Sequence, residues 1–158
     1  MDTNRDGTIM ANELQEALRR GLQMNDFNMK TIQLLISRYD KNGDMEINFD
    51  EFFDLFCNIN EEYESFLIMD KDSSGYVNCD EFSLAMNSKG YNFSPKFFKF
   101  IVGEIGKHSN SRGMKFDNYI RAMARFDYLC EYYRKTPYFH NNHNLESYLK
   151  NTFFQDFW

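Results

Sequence analysis

Apolar residues along this chain fall at helical spacing, in stretches cut by short polar runs. Leu14, Ala17 and Leu18 share one helical face, and Gly21 offers a stop. From Asn28, a candidate N-cap, Ile32, Leu35, Ile36 and Tyr39 trace a second face. Phe52 to Met69 contains neither Gly nor Pro, and Phe52, Phe56, Ile59, Tyr63 and Phe66 recur in alternating steps of four and three. The spacing predicts one helix about 27 Å long with this aromatic row in the core. Phe82, Ala85 and Met86 continue helically to Gly90. Ser94 as N-cap and Pro95 in the first turn open a helix carrying Phe98, Ile101, Val102 and Ile105. Tyr119, Met123, Phe126, Cys130 and Tyr133 then repeat the Phe52 row 67 positions later, the mark of a duplicated unit. The Phe-rich end, Tyr148 to Trp158, is expected to dock as a helix. The chain is predicted to be all-α.

The polar runs between these helices carry a ligand cadence. In Asp70 to Glu81, oxygen donors stand at the first, third, fifth and twelfth places: Asp70, Asp72, Ser74 and Glu81, with the Tyr76 carbonyl at the seventh. A hard cation such as Ca²⁺ takes about six to eight oxygens, and this spacing wraps them around one ion. Gly75 occupies the sharp turn and Val77 the place where a short strand pairs with a neighbouring loop. The competing reading, a polar surface turn, accounts for none of these coincidences. Asp2 to Glu13 repeats the pattern with Asp2, Asn4, Asp6, the Thr8 carbonyl and Glu13, with Gly7 at the turn and Ile9 at the strand position. Only Met1 precedes it, so either the chain is a piece of something longer or the first hand is half built, and Asp2 is expected to fray. Asp40 to Glu51 supplies Asp40, Asn42, Asp44, the Glu46 carbonyl and Glu51, but Met45 stands where Gly is expected. A left-handed residue with a Cβ costs roughly 1–2 kcal/mol; if that strain arises only in the bound state affinity falls, and this loop is expected to bind less tightly than the loop at Asp70.

Two further loops have lost the chemistry. In about 107–118, Lys107, Ser109, Ser111 and Asn118 fall at positions one, three, five and twelve, and a lysine cannot hold a cation; Met114 keeps the strand position. In about 136–147 no acid opens the loop, and His140 and His143 read as exposed polar residues rather than a zinc site.

Composition adds bounds. The chain has 158 residues, 42% of them apolar, and no run approaches the roughly 18 apolar residues of a membrane span. Cys57, Cys79 and Cys130 are odd in number without metal-type spacing, so they read as small apolar fillers in a reducing, cytoplasmic setting rather than disulfides or a catalytic thiol. Of the net charge of −6, residues 1–90 carry 18 acids against 8 bases and residues 91–158 carry 6 against 10. The acids gather at the loops, so the first half is expected to gain stability on binding calcium. The scattered bases and acidic total give no support to nucleic-acid binding.

Loop starts at 2, 40, 70, 107 and 136 alternate long and short intervals; the short ones leave room for one shared helix. With Phe93-Ser94-Pro95 and Phe116-Asp117-Asn118-Tyr119-Ile120-Arg121, this spacing resembles the penta-EF-hand family, the family of sorcin, grancalcin, peflin and the calpain regulatory domains. The resemblance covers nearly all of residues 2–158. It implies five helix-loop-helix hands with short β-pairings between loops and two shared long helices, calcium in the early hands, an empty fourth hand and dimerisation through the fifth. Pairing hand one with two and three with four leaves the fifth strand edge open, and a homodimer or heterodimer would cover it. The Asn- and His-rich fifth loop, the missing first helix and the absence of a Gly/Pro-rich tail depart from the family.

The leading functional reading is a calcium-responsive adaptor that exposes a Phe- and Met-rich groove and recruits a protein partner or a membrane, moving to membranes when calcium binds. Two others stay open. One is the regulatory part of a calpain-like cysteine protease with its catalytic half before Met1, which Arg19-Arg20 and Phe116-Asp117-Asn118 also suit; the other is a passive calcium buffer. No catalytic constellation appears in the chain, so it is not expected to be an enzyme by itself.

Overall fold

The computed structural model describes residues 7–22, 27–109, 113–136 and 144–155. Among them are seven helices: α1 (Ala11–Gly21), α2 (Met29–Tyr39), α3 (Phe49–Met69), α4 (Cys79–Ser88), α5 (Pro95–Ser109), α6 (Phe116–Lys135) and α7 (Leu145–Thr152). The chain divides into two compact units, Met1–Ser65 and Phe66–Trp158. Among the described residues no helix is long and apolar enough to cross a membrane.

In the first unit α1 packs on α2. Leu14 and Leu18, one turn apart, bury the inner face of α1, and Ile32, Leu35 and Ile36 answer from α2. Asn28 caps α2 by accepting from the Lys30 amide at 2.9 Å, as its residue type predicts. Gly21 is still helical; the chain leaves α1 at Leu22. The two loops are joined by an antiparallel bridge in which Ile9 and Ile47 exchange both backbone hydrogen bonds at 2.8 and 3.0 Å.

In the second unit the equivalent bridge joins Val77 to Met114, with both bonds at 2.9 Å. Here α4 packs on α5, and α7 on α5 and α6. The core is aromatic: Phe66 meets Phe116 edge-on at 5.4 Å, and Phe93 lies 4.7 Å from Phe97 and 5.6 Å from Phe126. Ser94 caps α5 by accepting from the Phe97 amide at 3.2 Å. Glu146, in the first turn of α7, accepts from the Ser94 amide at 2.8 Å and from its hydroxyl, tying two segments 52 residues apart. At the other end of α7, the Arg125 guanidinium donates to the carbonyls of Thr152 and Gln155 at 2.9 and 3.0 Å.

Three expectations need correction. The shared helix α3 begins at Phe49, not Phe52, because Asn48 accepts from the Asp50 and Glu51 amides and sets the first turn there. Its aromatic row is only partly core: Ile59 and Phe66 are buried, Phe52, Phe56 and Tyr63 are half-buried, and Leu55 takes the fully buried place. At the chain end, α7 starts at Leu145, capped by Asn144, which accepts from the Ser147 amide at 2.8 Å. It runs only to Thr152, after which Phe153 turns inward and is fully buried. Residues 137–143 of the fifth loop, with His140 and His143, lie outside the described residues, as do residues 156–158.

Candidate metal centre

The loop between α3 and α4 folds around its own first residue. Asp70 is buried, and its two carboxylate oxygens accept from the Ser74 and Gly75 amides, each at 2.8 Å. These bonds curl the backbone through Ser73 (φ +54°) and Gly75 (φ +79°), the latter a conformation glycine takes without strain. Ser74 donates its hydroxyl to the Tyr76 carbonyl at 3.0 Å, so fifth-position and seventh-position oxygens face each other. Glu81 reaches back from the first turn of α4. One carboxylate oxygen accepts from the Lys71 amide and the other from the Asn78 amide, both at 3.0 Å. Asn78 in turn accepts from the Asp80 and Glu81 amides, completing a capping box.

Asp70, Asp72 and Glu81 thus bring ligand atoms within 4.8 Å of one another. Hydrogen bonding from Ser74 holds the Asp72 carboxyl below the usual carboxylate range. No ion pair among the described residues reaches any of the three. Two buried carboxylates and a third beside them, without a basic side chain, are costly unless a cation joins them. An all-oxygen donor set with no thiol or imidazole suits a hard divalent ion, so the residues fit Ca²⁺.

The loop between α2 and α3 repeats the cradle thirty residues earlier. Asp40 accepts from the Gly43 and Met45 amides at 2.6 and 2.8 Å. Glu51, almost fully buried, accepts from the Lys41 and Asn48 amides at 2.9 and 3.0 Å. Met45 holds φ +66°, the left-handed conformation expected of a residue standing in for glycine. Here the donors are not drawn together as at Asp70: Asp44 accepts from the Asn42 side-chain amide at 2.8 Å, and no three carboxylates converge.

Of the first loop, Asp2, Asn4 and Asp6 lie outside the described residues. Gly7 has φ +89°, and Glu13 accepts from the Met10 amide at 3.1 Å, the pose Glu51 and Glu81 adopt toward Asn48 and Asn78. The Thr8 hydroxyl donates to the Glu46 carboxylate at 2.6 Å, linking the seventh positions of the two loops. The shared place of Thr8 and Glu46 in the ligand pattern was the available signal for this link.

In the fourth loop Lys107 is ion-paired with Glu104, and Asn118 is buried. Gly113 has a role the ligand pattern does not reveal. A Cβ there would lie 2.7 Å from the Val77 carbonyl oxygen, so only glycine lets the two loops approach.

Paired loops, flanking helices and an oxygen-lined turn define an EF-hand calcium-binding protein. The family described as "EF-hand domain pair" matches residues 1–57. Mouse (Mus musculus) grancalcin is 27% identical over 155 residues, 96% of this chain and 66% of that protein. Human (Homo sapiens) sorcin is 31% identical over 134 residues, covering 82% and 66%, and Xenopus laevis peflin 27% identical over 135, covering 85% and 47%. A solved structure of a homolog of programmed cell death 6 protein from Leishmania major Friedlin superposes with a TM-score of 0.67 at 28% identity, over 85% of this chain and 77% of that one. The chain belongs to the penta-EF-hand family. It spans no more than 66% of the length of these three relatives.

Proposed function

We propose that the protein is a calcium-responsive adaptor. Asp70, Asp72, Ser74, the Tyr76 carbonyl and Glu81 would hold one ion; Asp40, Asn42, Asp44, the Glu46 carbonyl and Glu51 a second. Asp2, Asn4, Asp6, the Thr8 carbonyl and Glu13 would hold a third. The observation that carries this reading is the convergence of Asp70, Asp72 and Glu81 without a basic partner. Bound Ca²⁺ supplies the positive charge that lets these carboxylates close on one point. Glu51 and Glu81 sit in the first turns of α3 and α4, so when each swings toward the aspartate that opens its loop, it carries its helix with it. That displacement is the signal a partner reads.

The Ile9–Ile47 and Val77–Met114 bridges use up the strand positions of hands one to four. This supports a dimer formed through the fifth hand. Calorimetry on Glu13→Ala, Glu51→Ala and Glu81→Ala tests the sites: each substitution is expected to remove one binding event. Titration with calcium in the presence of the dye ANS tests the adaptor. Fluorescence should rise as apolar surface opens, and a flat signal through saturation would leave only a passive buffer. Sedimentation at micromolar concentration should give twice the chain mass.

A further inference from the structure

The first unit carries an apolar face that its own core does not use. Phe49 and Phe53, one turn apart at the start of α3, are 75% and 59% exposed, and Met45, four residues earlier in the loop, is 81% exposed. Phe52 and Phe56, stacked at 5.8 Å, are half-buried beside them, so positions 49, 52, 53 and 56 make a stripe about 100° wide on α3. Met45 adds to the anomaly, since a left-handed residue usually glycine here bears a long apolar side chain that nothing inside the protein covers. Along one side of the stripe the same helix sets Asp50, Asp54, Glu61 and Glu64, all exposed. Only Asp54 among these has a basic partner of its own, Lys41 at 2.7 Å.

We infer that this face binds a basic amphipathic helix, whose apolar residues cover Phe49 and Phe53 while flanking lysines or arginines meet the acidic row. The charge selects this occupant. Residues 1–65 hold 14 acids against 6 bases, and two divalent ions in the loops would still leave a balance of −4. An anionic bilayer would be repelled by that row, and a second copy related by a twofold axis would set acid against acid. A cationic helix meets complementary charge at the rim and apolar surface at the centre. The inference names the partner chemistry of the adaptor proposed above and rests on that reading. Because α3 also carries Glu51, ion binding in the second loop would set where the face points.

The test uses the full chain and a fluorescently labelled 18-residue peptide of leucine and lysine, with leucine on one helical face. Anisotropy is read with calcium and with EGTA, and phosphatidylserine vesicles are assayed in parallel. Binding with calcium is expected, weakened at least tenfold by the double substitution Phe49→Ser, Phe53→Ser. Glu61→Lys with Glu64→Lys should weaken it too and flatten its salt dependence. These side chains are exposed, so melting curves and calcium titrations should show the variants folded. Failure of the peptide to bind, equal binding by the Phe49/Phe53 variant, or capture by vesicles but not by peptide would overturn the assignment. Binding that needs Phe49 and Phe53 but ignores EGTA would keep the face and discard the calcium switch. Binding that needs calcium but not these phenylalanines would do the reverse.

Discussion

Replacing Gly113 with alanine puts a methyl carbon 2.7 Å from the Val77 carbonyl oxygen and 3.2 Å from its carbon, both backbone atoms that cannot swing aside. Relief requires the third and fourth loops to part, which strains or breaks the two hydrogen bonds between Val77 and Met114. Each such bond is worth about 0.5–1.5 kcal/mol net, so Gly113→Ala should destabilise the second unit by about 1–3 kcal/mol. A companion substitution sets the sign. Gly103 lies exposed within α5 with no atom within 4 Å of its missing Cβ, and alanine there should stabilise by about 0.5–1 kcal/mol through helix propensity alone. Urea unfolding followed by circular dichroism in EDTA measures both. If Gly113→Ala unfolds within about 0.5 kcal/mol of the parent, or moves in the same direction as Gly103→Ala, close approach is not what selects glycine at 113, and the reasoning fails.

Met45→Gly should relieve a left-handed cost of about 1–2 kcal/mol while adding about 0.5–1 kcal/mol of chain entropy; since Met45 is left-handed without an ion, the net gain of about 0–1.5 kcal/mol should appear as a raised melting temperature in EDTA. Asn78→Ala removes the side chain that accepts from the Asp80 and Glu81 amides and should cost about 1 kcal/mol in thermal melts. Burial alone would raise the pKa of Glu146, but hydrogen bonds from the Ser94 hydroxyl and amide, then Lys150, outweigh it and hold the carboxyl below its ordinary value. A depressed folded pKa contributes stability that is complete above the unfolded value of about 4.3 and is lost as pH falls through the folded one. Melting temperatures in EDTA from pH 6 to 3 should therefore fall less steeply for Glu146→Gln than for the parent.

What the sequence revealed was mostly local. The twelve-residue cadence put Ile9, Ile47, Val77 and Met114 at strand positions, and they pair as two bridges. Caps were legible where the residue type states its chemistry, as at Asn28 and Ser94, but Asn144 was passed over inside a loop that no acid opens. The core register of α3 was misread because its first two turns are apolar on several sides; choosing the aromatics hid Leu55, the residue that is fully buried. Thr31 escaped altogether: its hydroxyl is buried without a hydrogen bond, an arrangement no polarity pattern would select. Contacts between distant loops, such as Gly113 under Val77 or Glu146 on Ser94, depend on a three-dimensional register that a single chain does not spell out.

The hydrogen bond from Thr8 to Glu46 joins side chains at matching places in two loops, above a bridge that already joins Ile9 to Ile47. A hand grafted alone into another protein would leave its mate behind, with Glu46 or Thr8 facing water in place of its counterpart. The smallest portable piece of the first unit is therefore a couple, and engineering its response means rewriting both halves together.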